Sequence, residues 1–302
     1  MSRNVLIIGA TNNQGQSAVA ALLSRAPSEF TLLAATRDPS SPSAQRLQTQ
    51  HPTLKLIRGD LTDSSALLTS AKVAVPNQPI WAVLMLAGNV EDSLGKALVT
   101  ASIDAGVSHF VYSSIDRGGI EHSWQTPTNV PHFRAKYTIE NHLRFSTTDG
   151  KSSMKWTILR SVAFFENLSP GFANKIFMTA FRDTVPATKS VQWVSAVDVG
   201  HFAAEVAINA SEYQNRVVGV AGDELTFQEM SDVLKKVTGE PAGTTFGFLG
   251  SLLKNGVKDV GTLLDFMGQE GFKVDLVECR KVRPGVMDFE AWLKNESTFP
   301  KI

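Results

Sequence analysis

The sequence predicts an α/β fold, a doubly wound parallel sheet with a smaller C-terminal α/β lobe. Three observations carry this expectation. Short apolar runs alternate with stretches at helical spacing over the first half of the chain. The first run ends in glycine and leads straight into a helix. After Arg160 the alternation stops, and sequence rich in phenylalanine and then glycine takes its place.

Taken in order, residues 5–8 are an apolar run closed by Gly9, which reads as a buried strand. Residues 16–24 have apolar positions at helical spacing. Residues 30–35 form the second strand and 44–50 a polar helix. Residues 54–57 are the third strand, followed by a helix over 64–71. Residues 81–87 and 94–105 make the fourth pair, and 109–113 ("HFVYS") the fifth strand. Strands separated by helices run parallel and are covered on both faces, with right-handed connections. A Gly-, Pro- and Thr-rich loop, 115–131, lies at the carboxyl edge where such sheets bind ligands. Pro131 opens a helix over 132–145, and 156–160 is a sixth strand. Beyond it, 191–194 and 216–220 read as strands and 196–208 as a helix, with Asp198 as its cap. A helix over 226–237 carries a capping box, Thr226 with Glu229. Residues 243–271 are glycine-dotted and apolar.

The 302 residues hold 29 Lys+Arg against 29 Asp+Glu, so the formal net charge is zero. There is no basic excess and no run of like charge to mark a nucleic-acid surface. One cysteine, Cys279, excludes an internal disulfide and a thiolate metal site. No residues have the spacing of metal ligands, and no G-x-S-x-G elbow is present. No leader precedes "NVLIIGA", and no apolar run reaches the ~18 residues of a membrane span. The expectation is a soluble, cytoplasmic protein.

The stretch "LIIGATNNQGQSAV" sets glycines at 9 and 15 between a strand and a helix. In dinucleotide-binding loops these glycines give the tight turn and the close helix packing, and phosphates sit on the free N–H groups of the helix start. Asn12 and Asn13 occupy the region of the middle glycine. Asparagine tolerates a left-handed backbone better than other non-glycine residues. At the end of the second strand, "LAATRDP" offers Arg37 for a 2′-phosphate, favouring NADP(H) over NAD; Asp38, before Pro39, reads as the start of a turn.

With these pieces, "GATNNQG", "ATRDP", "GDLTD", "HFVYSSIDRGG", "HFRAKYTIENHLR" and "FFENL" occur in order. Together they resemble the NmrA-like family of atypical short-chain dehydrogenase/reductases, whose relatives include isoflavone-reductase-like enzymes. The resemblance implies a Rossmann-type NADP(H) domain over 1–160 and a substrate or partner lobe over 161–302, partly interleaved with the sheet. It implies that Gly9, Ala10, Thr11, Asn12, Asn13 and Gln14, with Gly15 behind them, hold the pyrophosphate. Arg37 would take the 2′-phosphate, and Asp60 and Leu61 would lie by the adenine. Leu86, Ala87 and Gly88 would line the cofactor, and Lys136 would bond the nicotinamide ribose. Phe164, Phe165, Glu166 and Asn167 would close over the nicotinamide end. Asn12 departs from the glycine usual in the family.

Short-chain dehydrogenases pair Tyr with Lys four residues on, on one helix face. Here the stretch is His132-Phe133-Arg134-Ala135-Lys136, so lysine is kept and histidine replaces tyrosine. The candidate catalytic residues are Lys136, His132 and Ser114. Histidine is the side-chain type that ordinarily changes charge near neutrality, so His132 could donate a proton; it also reads as a surface residue at a helix start. Ser113 and Ser114 read either as substrate donors or as caps of strand-end backbone. Two functions follow. One is an NADPH-dependent reductase of an apolar or aromatic carbonyl or conjugated alkene, possible for a secondary-metabolite pathway. The other is a non-catalytic NADP(H) sensor that binds a protein such as a transcription factor, with a nuclear location open to it. Neither requires nucleic acid or a membrane.

Overall fold

In the computed structural model, which describes residues 2–148, 150 and 152–302, the strands assemble into two sheets. The strands are β1 (Arg3–Ile8), β2 (Phe30–Thr36), β3 (Lys55–Arg58), β4 (Ile80–Met85), β5 (His109–Ile115), β6 (Lys155–Ser161), β7 (Ala163–Phe164), β8 (Val191–Val194), β9 (Arg216–Val220) and β10 (Asp223–Leu225). Helices α1 (Asn13–Arg25), α2 (Pro42–Gln50), α3 (Ser64–Ala74) and α4 (Asp92–Asp104) fill the gaps between the first five strands. After them come α5 (Ile120–Gln125), α6 (Pro131–Thr147), α7 (Phe172–Thr184), α8 (Ala196–Ile208) and α9 (Ala210–Tyr213). The rest are α10 (Phe227–Thr238), α11 (Gly247–Gly256), α12 (Lys258–Gln269), α13 (Leu276–Val282) and α14 (Phe289–Asn295).

The large sheet has seven strands in the order β3-β2-β1-β4-β5-β6-β9. β1 pairs in parallel with both β2 and β4, and the β2–β3 and β4–β5 pairs are parallel as well. The chain therefore winds outward from β1 in one direction and then in the other. The reversal between β1 and β4 leaves a crevice at the carboxyl ends of the strands. Val5, Leu6 and Ile7 of β1 are fully buried, as are Val83 and Leu84 of β4 and Phe110 and Val111 of β5. Burial on both faces explains why these strands read as unbroken apolar runs rather than alternating ones.

The chain divides into two units. The first takes residues up to 114 with 135–160 and 197–218; the second takes 115–134, 161–196 and 219–302. Within the first, Arg160 at the end of β6 makes a two-pronged pair with Glu140 of α6, at 2.8 and 3.2 Å, with both side chains at most 1% exposed. Such a pair fixes its helix in one position, because either partner alone would be a buried bare charge.

The second unit is built on a three-stranded sheet, β10-β8-β7, with β7–β8 parallel and β8–β10 antiparallel. Its core is aromatic. Phe165 stacks on Trp193, Phe289 and Trp292, with ring centroids 5.2–6.3 Å apart, and Phe181 meets Trp193 edge-on. Of the crowded phenylalanines, Phe165 and Phe181 are core, whereas Phe172 is 61% exposed. The glycine-dotted segment folds as two helices, α11 and α12. Gly250 lets α11 approach α7, since a Cβ there would lie 2.8 Å from the Ala180 nitrogen. The capping box forms as the sequence implies: Thr226 Oγ1 accepts from the Glu229 N–H and Glu229 accepts from the Thr226 N–H.

Candidate dinucleotide site

β1 runs into the crevice and stops at Gly9, whose φ of +82° lies in the left-handed region. A Cβ there would sit 2.9 Å from the Ala87 nitrogen, so only glycine allows the loop to pass this close to the strand next door. Gly15 is tighter still, with 2.2 Å from a Cβ to the Gly9 carbonyl oxygen. The turn and the close packing thus fall where the glycine pattern set them.

Asn12 solves its place differently from the sequence expectation. It is not left-handed but extended, with φ −87° and ψ 173°, and it caps α1. Its Oδ1 accepts from the Gly15 N–H at 2.9 Å, and its Nδ2 donates to the Leu86 carbonyl at 2.9 Å. One side chain therefore both caps the helix and ties the loop to the end of β4. The first-turn N–H groups of Asn13 and Gln14 have no acceptor within the helix and point out of its N-terminus, the arrangement that suits a phosphate.

A cleft of about 770 Å³ opens at this edge of the first unit. Of the residues the sequence nominated, Gly9, Thr11, Arg37, Asp60, Leu61 and Ala87 line it. Arg37 is exposed. Asp60 caps the 3-10 turn Leu61–Asp63, accepting from the Thr62 N–H at 2.9 Å, and this bond chiefly holds its carboxyl below the usual range. Asp38 accepts from the hydroxyl and N–H of Ser40, which hold its carboxyl low as well. It is therefore the start of a turn, as its place before Pro39 implied. The sequence reading missed Ser41 and Ser43 at the start of α2, and Asn89, Val90, Glu91 and Leu94 around the start of α4, all of which line the cleft. Residues around the start of a helix face the crevice in this topology, and that rule would have found them.

Ala10, Asn12, Asn13, Gln14, Gly15, Leu86 and Gly88 stand behind or beside that lining. Leu86 is fully buried and donates its N–H to Ile8. Gln14, 7% exposed, accepts from Ser113 Oγ at 2.7 Å. Lys136 of α6 donates from Nζ to the Ser113 carbonyl at 2.9 Å and lies 5.6 Å from the Tyr112 ring centroid. Ser114 is 1% exposed within β5.

The remaining nominated residues belong to the second unit. His132 stands one helical turn before Lys136 on α6, its Nδ1 3.8 Å from Asp259 and its ring edge-on to Phe133. Phe165 is wholly enclosed by the aromatic core. Glu166 is engaged: it accepts from Ser195 Oγ at 2.8 Å, the Ala196 N–H at 3.0 Å and the Trp292 indole at 3.2 Å. Both side chains hold the unit together. Phe164, the last residue of β7, is half-buried and leads into the 3-10 turn Phe165–Asn167, which contains Asn167. Among the described residues no group of three or more His, Cys, Asp or Glu is placed to hold a metal ion. No helix among them is long and apolar enough to cross a membrane.

The model of the NmrA-like family matches residues 1–293. The chain belongs to the NmrA-like family. It is 27% identical to an NmrA-like family domain-containing oxidoreductase, ptmS of Penicillium ochrochloron, over 87% of this chain and 82% of that one. Two solved structures share the fold. NmrA, a negative transcriptional regulator in complex with NAD, superposes with a TM-score of 0.73 at 17% identity over 98% of this chain and 95% of its own. An NADPH-dependent quinone oxidoreductase from Escherichia coli superposes with 0.70 at 22% over 95% and 97%.

Proposed function

We propose that the chain is an NADPH-dependent oxidoreductase that reduces an apolar or aromatic carbonyl or conjugated alkene. The observation that carries the cofactor reading is the cleft's far end, where exposed Arg37 shares the lining with Ser41 and Ser43 at the start of α2. A guanidinium, two hydroxyls and helix N–H groups together suit a phosphate ester on the ribose. The tight cradle at Gly9 and Gly15 fits a pyrophosphate approached by backbone alone.

NADPH, when bound, supplies the hydride. The protein's work is then to hold and polarise. Asp60 and Leu61 would hold the adenine, the α1 turn would hold the phosphates, and Lys136 would offer a positive charge to the nicotinamide ribose and to the carbonyl being reduced. His132 replaces the usual tyrosine and is the candidate proton donor, with Ser114 a second candidate on β5. The name of ptmS, an oxidoreductase, supports an enzyme rather than a sensor. A single cysteine, too few for an internal disulfide, accords with a reducing, cytoplasmic setting.

The test is NADPH oxidation against quinones, enones and aromatic ketones. Lys136→Ala is expected to lower turnover at least about 100-fold, the scale of a lost charge or proton-transfer contribution. Binding of NADPH without turnover on any member of the panel would remove the enzyme reading.

A further inference from the structure

Three residues far apart in sequence stand in line inside the first unit. Gln14 sits on the first turn of α1, the turn offered to the phosphates. Its Oε1 accepts from Ser113 Oγ at 2.7 Å. The carbonyl of the same Ser113 accepts from Lys136 Nζ at 2.9 Å. Gln14 is 7% exposed and Ser113 2%, so water competes little for the first link. Asn12 and Gly15 fix the turn that carries Gln14, and the Arg160–Glu140 pair fixes the helix that carries Lys136.

A lysine stem has four rotatable carbons and places its ammonium poorly on its own. Here the ammonium is placed by an acceptor, and that acceptor belongs to a residue held from the other side by Gln14. We propose that Gln14 is a positioning residue. Through Ser113 it sets where the Lys136 ammonium stands relative to the phosphate-binding turn. The proposal deepens the cofactor reading and rests on it for its purpose, because the same helix turn would then register both the phosphates and the lysine. It explains a glutamine where packing alone would favour an apolar residue: a buried amide needs a hydrogen-bond partner, and Ser113 provides it.

Acetylation of Lys136 by acetic anhydride, read by mass spectrometry, tests this without turnover. The reagent needs the free amine, so a lysine held by an acceptor reacts slowly. Gln14→Leu keeps the bulk and loses the acceptor; Ser113→Ala loses the donor. Both keep the Ser113 main-chain carbonyl that accepts from Lys136, so each is expected to raise Lys136 labelling at fixed pH measurably but by less than about fivefold, the full worth of one hydrogen bond. The double variant is expected to add nothing further, because the two residues share one interaction. Gln14→Glu keeps an acceptor and is expected to restore wild-type labelling. Unchanged labelling in both single variants, with melting temperatures showing that they fold, overturns the proposal. If Gln14→Leu does not fold, Ser113→Ala against Gln14→Glu decides it. NADPH binding to the unaltered protein is measured alongside. Failure of that binding defeats the cofactor reading and leaves the labelling result to judge the relay by itself.

Discussion

Asn12 makes two hydrogen bonds of different kinds, and three substitutions separate them. The cap to the Gly15 N–H and the strut to the Leu86 carbonyl are each 2.9 Å long. Asn12→Ala removes both. Loss of a cap costs about 1 kcal/mol, and loss of a neutral hydrogen bond about 1 kcal/mol more. The expected destabilisation is therefore about 2 kcal/mol, which lowers the melting midpoint of a 302-residue chain by roughly 3 °C. Asn12→Gly loses the strut, yet glycine at a cap costs only a few tenths, so its expected cost is about 1.3 kcal/mol. Asn12→Asp keeps the cap and sets a carboxylate against the Leu86 carbonyl and beside the phosphate site. Its stability is expected to fall about as far as that of Asn12→Gly, with weaker NADPH binding besides. Thermal melts and dinucleotide titrations read all three. If Asn12→Ala changes stability by less than about 0.5 kcal/mol, below the weakest such cap, Asn12 is not the tie described here. Equal costs for Ala and Gly would leave the strut alone and refute the cap.

Two further outcomes are expected away from the cleft. Burial pushes the His109 imidazole down to about 4 from its ordinary 6.5, and Thr157, which donates to the Tyr213 carbonyl, accepts from its Nε2–H. The folded chain keeps this ring neutral while the unfolded chain protonates it, so the contribution is whole above about pH 6.5 and is lost as pH falls toward 4, by up to about 1.4 kcal/mol per unit. His109→Gln is expected to flatten that slope in urea melts taken between pH 4 and 6.5; an unchanged slope would assign the acid sensitivity elsewhere. Cys279 is 1% exposed, and burial pushes its thiol up to about 11. A colorimetric disulfide reagent is expected to react with it only after denaturation, and fast labelling of the native protein at pH 8 would contradict the packing around it.

The fold was legible where the signal is local. A strand, Gly9 and a helix start stand together in ten residues, and Thr226 with Glu229 announces a helix by spacing alone. The lining of the cleft was legible at Gly9, Arg37 and Asp60, because each follows the end of a strand, where this topology opens a crevice. What stayed hidden depends on pairs far apart in the chain. Asn12 meets Leu86 across 74 residues and Gln14 meets Ser113 across 99. No local pattern carries such a pairing. Asn12 was therefore read through its tolerance of left-handed backbone, when its value is two polar atoms aimed opposite ways. The helices α11 and α12 escaped for another reason. Their glycines count against helix by propensity, and close packing such as that of Gly250 on α7 outweighs the cost.

Titration of the protein with NADPH and with NADH, repeated on Arg37→Ala, tests the central claim most directly. NADPH is expected to bind at least about tenfold more tightly, a difference of about 1.4 kcal/mol, and the substitution is expected to erase that preference while leaving NADH binding in place. Equal affinities in the unaltered protein, or a preference that survives Arg37→Ala, would contradict the assignment of this cleft to the phosphorylated dinucleotide.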